Sequence, residues 1–262
     1  MNFSDTLSKR ILVTQSNLCV GLDPRPSLSQ GDVESFLNQV IEETAPYAAA
    51  FKPNIAYFEA MGSSGYALLE RLVGNIPREV PIVLDVKRSD IPETQKYYAE
   101  AYFERWDVAA VTLNPFLGFD SIEPFLQYEG KGVYLLGVTS NPGANELLTG
   151  TLDGTPLLKQ VEAMHDRASE LPGDVGLVLG LTNLTPERLA SVTDMPLLIP
   201  GLGAQGGTLA GQGLHTRLAP VLINSSRSIL YADNPKSYGE RAAESAHKIR
   251  EVLNPEETDT PS

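Results

Sequence analysis

Eight short runs rich in apolar and β-branched residues recur along the chain, and stretches of helical character separate them. The runs are Leu18–Leu22, Ala49–Lys52, Ile82–Val86, Ala109–Leu113, Val133–Val138, Gly176–Gly180, Leu197–Ile199 and Val221–Asn224. The intervening sequence predicts helices over Val33–Thr44, Tyr66–Gly74, Thr94–Trp106, Ser121–Gln127, Pro156–Glu170, Pro186–Val192 and Ser237–Leu253. Three of them follow start signals: Asp32 before Val33, Asp120-Ser121 before Ile122, and Thr185 before the first-turn proline Pro186. Strands this continuously apolar belong to a parallel sheet covered on both faces. Eight such units in 262 residues predict an α/β protein of one domain, a (β/α)8 TIM barrel, a fold of typically about 250 residues. A doubly wound open sheet is the alternative. No Gly-Ser or proline-rich linker divides the chain, so the barrel domain is expected to occupy residues 1–253. Asn254–Ser262 then forms an acidic, disordered tail.

Thirty-three acidic against 20 basic residues leave a formal net charge of −13. That charge disfavours nucleic acid and anionic membranes as partners, so a phosphate-bearing ligand would need a local site working against the overall field. No apolar run approaches the roughly 20 residues of a membrane span. Residues 1–15 lack the apolar centre of a signal peptide, from which a cytoplasmic address is expected. Cys19 lies inside an apolar run, where a structural thiol is expected. His165, His215 and His247 share no metal-ligand spacing.

The densest chemistry is Asp85-Val86-Lys87-Arg88-Ser89-Asp90, directly after the apolar run Pro81–Leu84. Strand alternation directs Asp85 and Lys87 to one side, with Asp90 on the loop beyond. Charges at the carboxyl end of a buried strand are costly to desolvate and mark a ligand site; a surface salt-bridge cluster is the plain alternative. Other polar residues fall at corresponding places. Asp23 follows the first run, Lys52 ends the second, Asn114 ends the fourth and Ser140 follows the fifth. Pro200–Gly207, with four glycines, leaves the seventh run, and Arg227 follows the eighth. In barrels the loops after strands seven and eight often hold phosphate, which suits the glycine-rich backbone and Arg227.

These residues, in this order, resemble orotidine 5′-phosphate decarboxylase, in its longer bacterial branch. The resemblance rests on Gly21-Leu22-Asp23-Pro24, Phe51-Lys52-Pro53-Asn54, Asp85–Ile91 with Thr94, Asn114-Pro115, Thr139-Ser140-Asn141-Pro142, Pro200–Gly207 and Ser226-Arg227-Ser228. It implies decarboxylation of orotidine 5′-monophosphate to UMP in pyrimidine biosynthesis, with no metal and no cofactor. Lys52, Asp85, Lys87 and Asp90 match the family's alternating charge network, and Lys87 would protonate the C6 carbanion. The resemblance also implies a homodimer with shared sites, Asp90 and Thr94 crossing into the neighbouring subunit. Asp23 and Lys52 would bind the ribose, Ser140 the pyrimidine, Gln205 the pyrimidine and phosphate, and Arg227 the phosphate. Asn114 fits the site without a defined role, and Gly203–Gly213 would close over the phosphate. Pro92 departs from the motif, where a small residue is more usual. A D-x-K-x-x-D strand also occurs in metal-dependent phosphosugar decarboxylases and aldolases, the nearest rival reading; a noncatalytic nucleotide sensor is the other.

Overall fold

In the computed structural model, residues 1–29, 32–183, 185–201 and 213–253 are described. Eight parallel strands run in the order β2-β1-β8-β7-β6-β5-β4-β3. They are β1 (Leu18–Leu22), β2 (Ala50–Pro53), β3 (Val83–Arg88), β4 (Ala110–Leu113), β5 (Gly132–Val138), β6 (Asp174–Leu179), β7 (Leu197–Ile199) and β8 (Val221–Ser225). The two ends of that order meet through parallel bridges, Phe51 to Ile82 and Asn54 to Asp85. The sheet therefore closes into the expected barrel, and the open doubly wound alternative falls away.

Each strand sends one apolar side chain into a common interior cluster: Cys19, Ala50, Val83, Ala110, Tyr134, Val178, Leu198 and Leu222. Burial pushes the Cys19 thiol up to about 12, as befits a structural thiol. A helix absent from the sequence reading, Phe3–Thr14, closes the amino end of the barrel. Only Phe3 and Leu7 of this helix are buried, so its apolar stripe is too narrow to read from periodicity. The Phe3 ring meets Tyr134 edge-on at 5.8 Å. A Cβ at residue 132 would fall 2.5 Å from that ring, which explains Gly132.

Two of the three expected start signals cap their helices; at the third, Ile122 stands before Glu123–Leu126 and no side chain caps it. Asp32 caps Val33–Thr44 by accepting from the Ser35 amide at 3.0 Å, and Thr185 accepts from the Arg188 amide at 3.2 Å. The helix expected over Thr94–Trp106 begins earlier, at Pro92, and passes into a π-helical turn over Glu100–Arg105. Pro92 takes the first helical position, where its missing N–H costs nothing. Ser121–Gln127 shortens to a 3-10 turn at Phe119–Ser121 and one α-turn at Glu123–Leu126. A small antiparallel hairpin pairs Thr151–Leu152 with Thr155–Pro156. Its turn is Asp153-Gly154, both at positive φ (51° and 77°), the primed-turn signature of that dipeptide.

No described helix is long and apolar enough to cross a membrane. Among the described residues no three His, Cys, Asp or Glu side chains group as metal ligands. The tail, 254–262, lies outside the described residues.

Candidate active site

Side chains two residues further along a strand return to the same face. Above Ala50, Val83, Ala110 and Leu222 this places Lys52, Asp85, Thr112 and Asn224, all buried. The apolar floor of the barrel is thus capped by a polar layer at the carboxyl mouth.

Asp85 is the hub of that layer. Its Oδ2 accepts from Lys52 Nζ at 2.9 Å and from Asn54 Nδ2 at 3.5 Å. Its Oδ1 accepts from Lys87 Nζ and, at 2.9 Å, from Thr112 Oγ1. Lys52 and Asp85 are 5% and 7% exposed, so both charges are desolvated and depend on each other. Burial alone would raise the Asp85 carboxyl; Lys52 and Lys87 outweigh it and hold the group well below the usual carboxylate range. Burial would likewise lower the Lys52 ammonium, yet Asp85 and Asp23 hold it above its ordinary value. Two ammonium groups share the Asp85 carboxylate, and Asp23 adds a second negative charge beside Lys52.

Lys87 reaches Asp85 by a route that simple alternation does not provide. Its φ is +43°, in the left-handed region, and the β3–β4 register shifts between Leu84 and Arg88. A lysine held there stores roughly 1–3 kcal/mol of backbone strain, a cost that clusters at functional sites. The Lys87 side chain is 46% exposed, while Asp85, its partner in the cavity lining, is largely buried. Arg88 turns outward instead. Its guanidinium donates to Glu59 at 2.7 Å and to the Tyr102 hydroxyl at 3.0 Å, bracing the strand end.

A cavity of about 1160 Å³ opens over this layer, and Lys52, Asp85, Lys87, Asn114 and Ser140 line it. Phe116, Leu152 and Met164 contribute apolar lining. Small-molecule sites commonly measure about 300–1,000 Å³, so there is room for a ligand of nucleotide size.

A family model described as orotidine 5′-phosphate decarboxylase / HUMPS family matches residues 16–242. The chain belongs to that family. It is 41% identical to orotidine 5′-phosphate decarboxylase of Albidiferax ferrireducens, over 97% of this chain and 98% of that protein. Among solved structures, Leishmania donovani OMP decarboxylase superposes with a TM-score of 0.83 at 34% identity, covering 97% of this chain and 99% of that one. Leishmania donovani UMP synthase gives 0.85 at 37% identity over 97% of this chain, which spans only 57% of that longer protein.

Within one decarboxylase-family chain, the site residues expected from sequence separate into groups. Lys52, Asp85 and Lys87 come together, with Asn114 and Ser140 beside them. Asn114 also caps the turn that follows, accepting from the Phe116 amide at 3.1 Å. Asp23 stands just past β1, near enough to act on Lys52, and its Oδ1 is buried without a partner. Asp90 accepts from the Ile91 amide at 2.8 Å and reaches neither lysine, and Thr94 sits half-buried on the helix Pro92–Ala99. Neither lines the cavity. Arg227 is exposed at the start of the single turn Arg227–Leu230 and also lies off the cavity lining. Gln205 and most of Gly203–Gly213 lie outside the described residues. Thr112 joins the network without being singled out by sequence, and Asn54, quoted in its motif without a role, joins it as well. Their signals were a lone hydroxyl in the apolar run Ala109–Leu113 and an amide directly after Lys52-Pro53. Trp106 packs against Tyr66 and Tyr102.

Proposed function

We propose that the chain converts orotidine 5′-monophosphate to UMP and CO2 in pyrimidine biosynthesis, as a cytoplasmic enzyme whose catalytic domain is the barrel of residues 1–253. The observation that carries this reading is the Lys52–Asp85–Lys87 chain of ion pairs at the barrel mouth, in a chain matched along nearly its whole length by orotidine 5′-phosphate decarboxylases.

The C6–carboxylate bond breaks with its electron pair left on C6, in the ring plane and outside the π system. Stabilisation of that carbanion must come from charge placed in advance. The Lys87 ammonium supplies it and then gives its proton to C6, so CO2 leaves and the amine is reprotonated from water. Two unit charges 4 Å apart interact by about 4 kcal/mol at an effective dielectric near 20, enough to hold the ammonium in place. Asp85 pairs with it and fixes its position, and Lys52 with Asp23 takes the ribose hydroxyls. Ser140 holds the pyrimidine edge beside Asn114. Arg227 and Gln205 take the phosphate.

Asp90 and Thr94 act across a homodimer. That neither lines the cavity nor pairs with Lys87 within one chain supports this, as do the exposed apolar side chains nearby, Ile91, Tyr97, Phe116 and Leu117. Mixing Lys87→Ala with Asp90→Ala subunits should then restore activity that each variant lacks, since hybrid dimers regain one intact site. The reading as a whole is tested by ultraviolet absorbance loss on adding orotidine 5′-monophosphate, with and without EDTA. No turnover, or turnover abolished by EDTA, would overturn it.

A further inference from the structure

Between β3 and β4 the pairing passes from Leu84 opposite Val111 directly to Arg88 opposite Leu113. Three residues of β3, Asp85 to Lys87, therefore stand opposite Thr112 alone. Backbone ladder bonds cannot serve a stretch that is mismatched in this way. The Thr112 side chain serves it instead: Oγ1 accepts from the Val86 amide at 3.0 Å and from the Lys87 amide at 2.9 Å. The same oxygen donates its proton to Asp85 Oδ1 at 2.9 Å. A hydroxyl has one proton and two lone pairs, and all three are used. Thr112 is 1% exposed, so water cannot replace any of these bonds.

We propose that Thr112 is a positioning residue for Lys87: one hydroxyl fixes both the left-handed backbone that aims the lysine and the carboxylate that holds its ammonium. The proposal rests on the reading of Lys87 as the proton donor. Lys87 at φ +43° is a conformation that side chains adopt only under constraint. Both N–H groups that impose the constraint end on Oγ1. Asp85 receives three other donors besides Thr112, from Lys52, Asn54 and Lys87, so its charge survives without the hydroxyl. What is lost is the tie between the carboxylate and the backbone that carries its partner. Serine retains that tie, whereas valine keeps the shape and breaks it.

Thr112→Val and Thr112→Ser, measured beside the wild type, separate these roles. Misplacing a reacting group by about 1 Å can cost on the order of 10²-fold, which is the fall in kcat expected for Thr112→Val. KM and UMP affinity should change little, and Thr112→Ser should retain most of the turnover. Unchanged kcat in a folded Thr112→Val protein, or equal losses in the two variants, would overturn the proposal. If Thr112→Val does not fold, Thr112→Ala replaces it, and equal turnover in Thr112→Ala and Thr112→Ser refutes the role. A crystal structure of the valine or alanine variant tests the idea without turnover. Lys87 should leave the left-handed region or lose Asp85, and an unmoved Lys87 would contradict the proposal. A wild type inactive on orotidine 5′-monophosphate would sink the functional reading alone.

Discussion

The two interior layers of the barrel are built on the same strands, only two residues apart, and follow opposite rules. In the lower layer Ala50, Val83 and Ala110 pack with Tyr134 and Leu222 into an apolar floor. In the upper layer the same three strands present Lys52, Asp85 and Thr112, joined by ion pairs and hydrogen bonds. The floor gains stability from burial, at about 25 cal/mol per Å² removed from water. The upper layer spends stability on buried charge, because attraction between buried ions often fails to recover their desolvation. The contrast shows where the chain was shaped for packing and where for chemistry.

The largest break in that contrast is Lys87→Ala. Steady-state assays should show kcat lower by at least about 10⁴-fold, the upper range for a single proton-transfer group, with UMP affinity largely kept. Next comes Asp85→Ala, which leaves Lys52 buried without its directly paired counter-ion. Denaturant unfolding should show a loss of about 3–5 kcal/mol, whereas the double change Lys52→Met with Asp85→Leu should be neutral or stabilising and inactive. A smaller effect is expected at Arg227, where Arg227→Ala should weaken UMP binding by about tenfold to 10²-fold in calorimetry. Unchanged affinity would remove Arg227 from the site.

The pH dependence of stability sharpens the same comparison. The Asp85 carboxyl is held low in the folded chain, so on acidification the unfolded chain takes up the proton first. Its contribution is complete above the ordinary aspartate value of about 3.9 and is lost as pH falls below it. Acid unfolding followed by circular dichroism should be less steep in Asp85→Asn. Lys52 is held high, so its contribution is intact below the ordinary lysine value of about 10.4 and is lost only in stronger alkali. The smallest effect belongs to the floor. With its thiol pushed up to about 12, Cys19 should resist a thiol reagent such as DTNB in the native protein and react on unfolding.

Most of the barrel was legible in the sequence, because strands buried on both faces read as unbroken apolar runs. Leu18–Leu22 and Leu197–Ile199 fall where the pattern places them. The helix Phe3–Thr14 was not legible, since two buried residues make no periodic face. The Asp153-Gly154 hairpin carried a turn signal but strands of two residues, too short for alternation to show. In the site, Lys52, Asp85 and Lys87 stood out because charge at the end of an apolar run is conspicuous. Thr112 did not, since threonine is an ordinary strand residue and its role depends on a register shift that only three-dimensional pairing exposes. Asp90 and Thr94 show the opposite limit: the motif names them, yet one chain alone brings neither to Lys87.

The central claim, that the charged mouth of the barrel carries out decarboxylation with protonation at C6, is tested most directly by proton NMR of the product formed in heavy water. UMP released from orotidine 5′-monophosphate should carry deuterium at C6 and lack the H6 signal, one equivalent appearing per CO2 evolved. An unconsumed substrate, or a product other than UMP, would contradict the account.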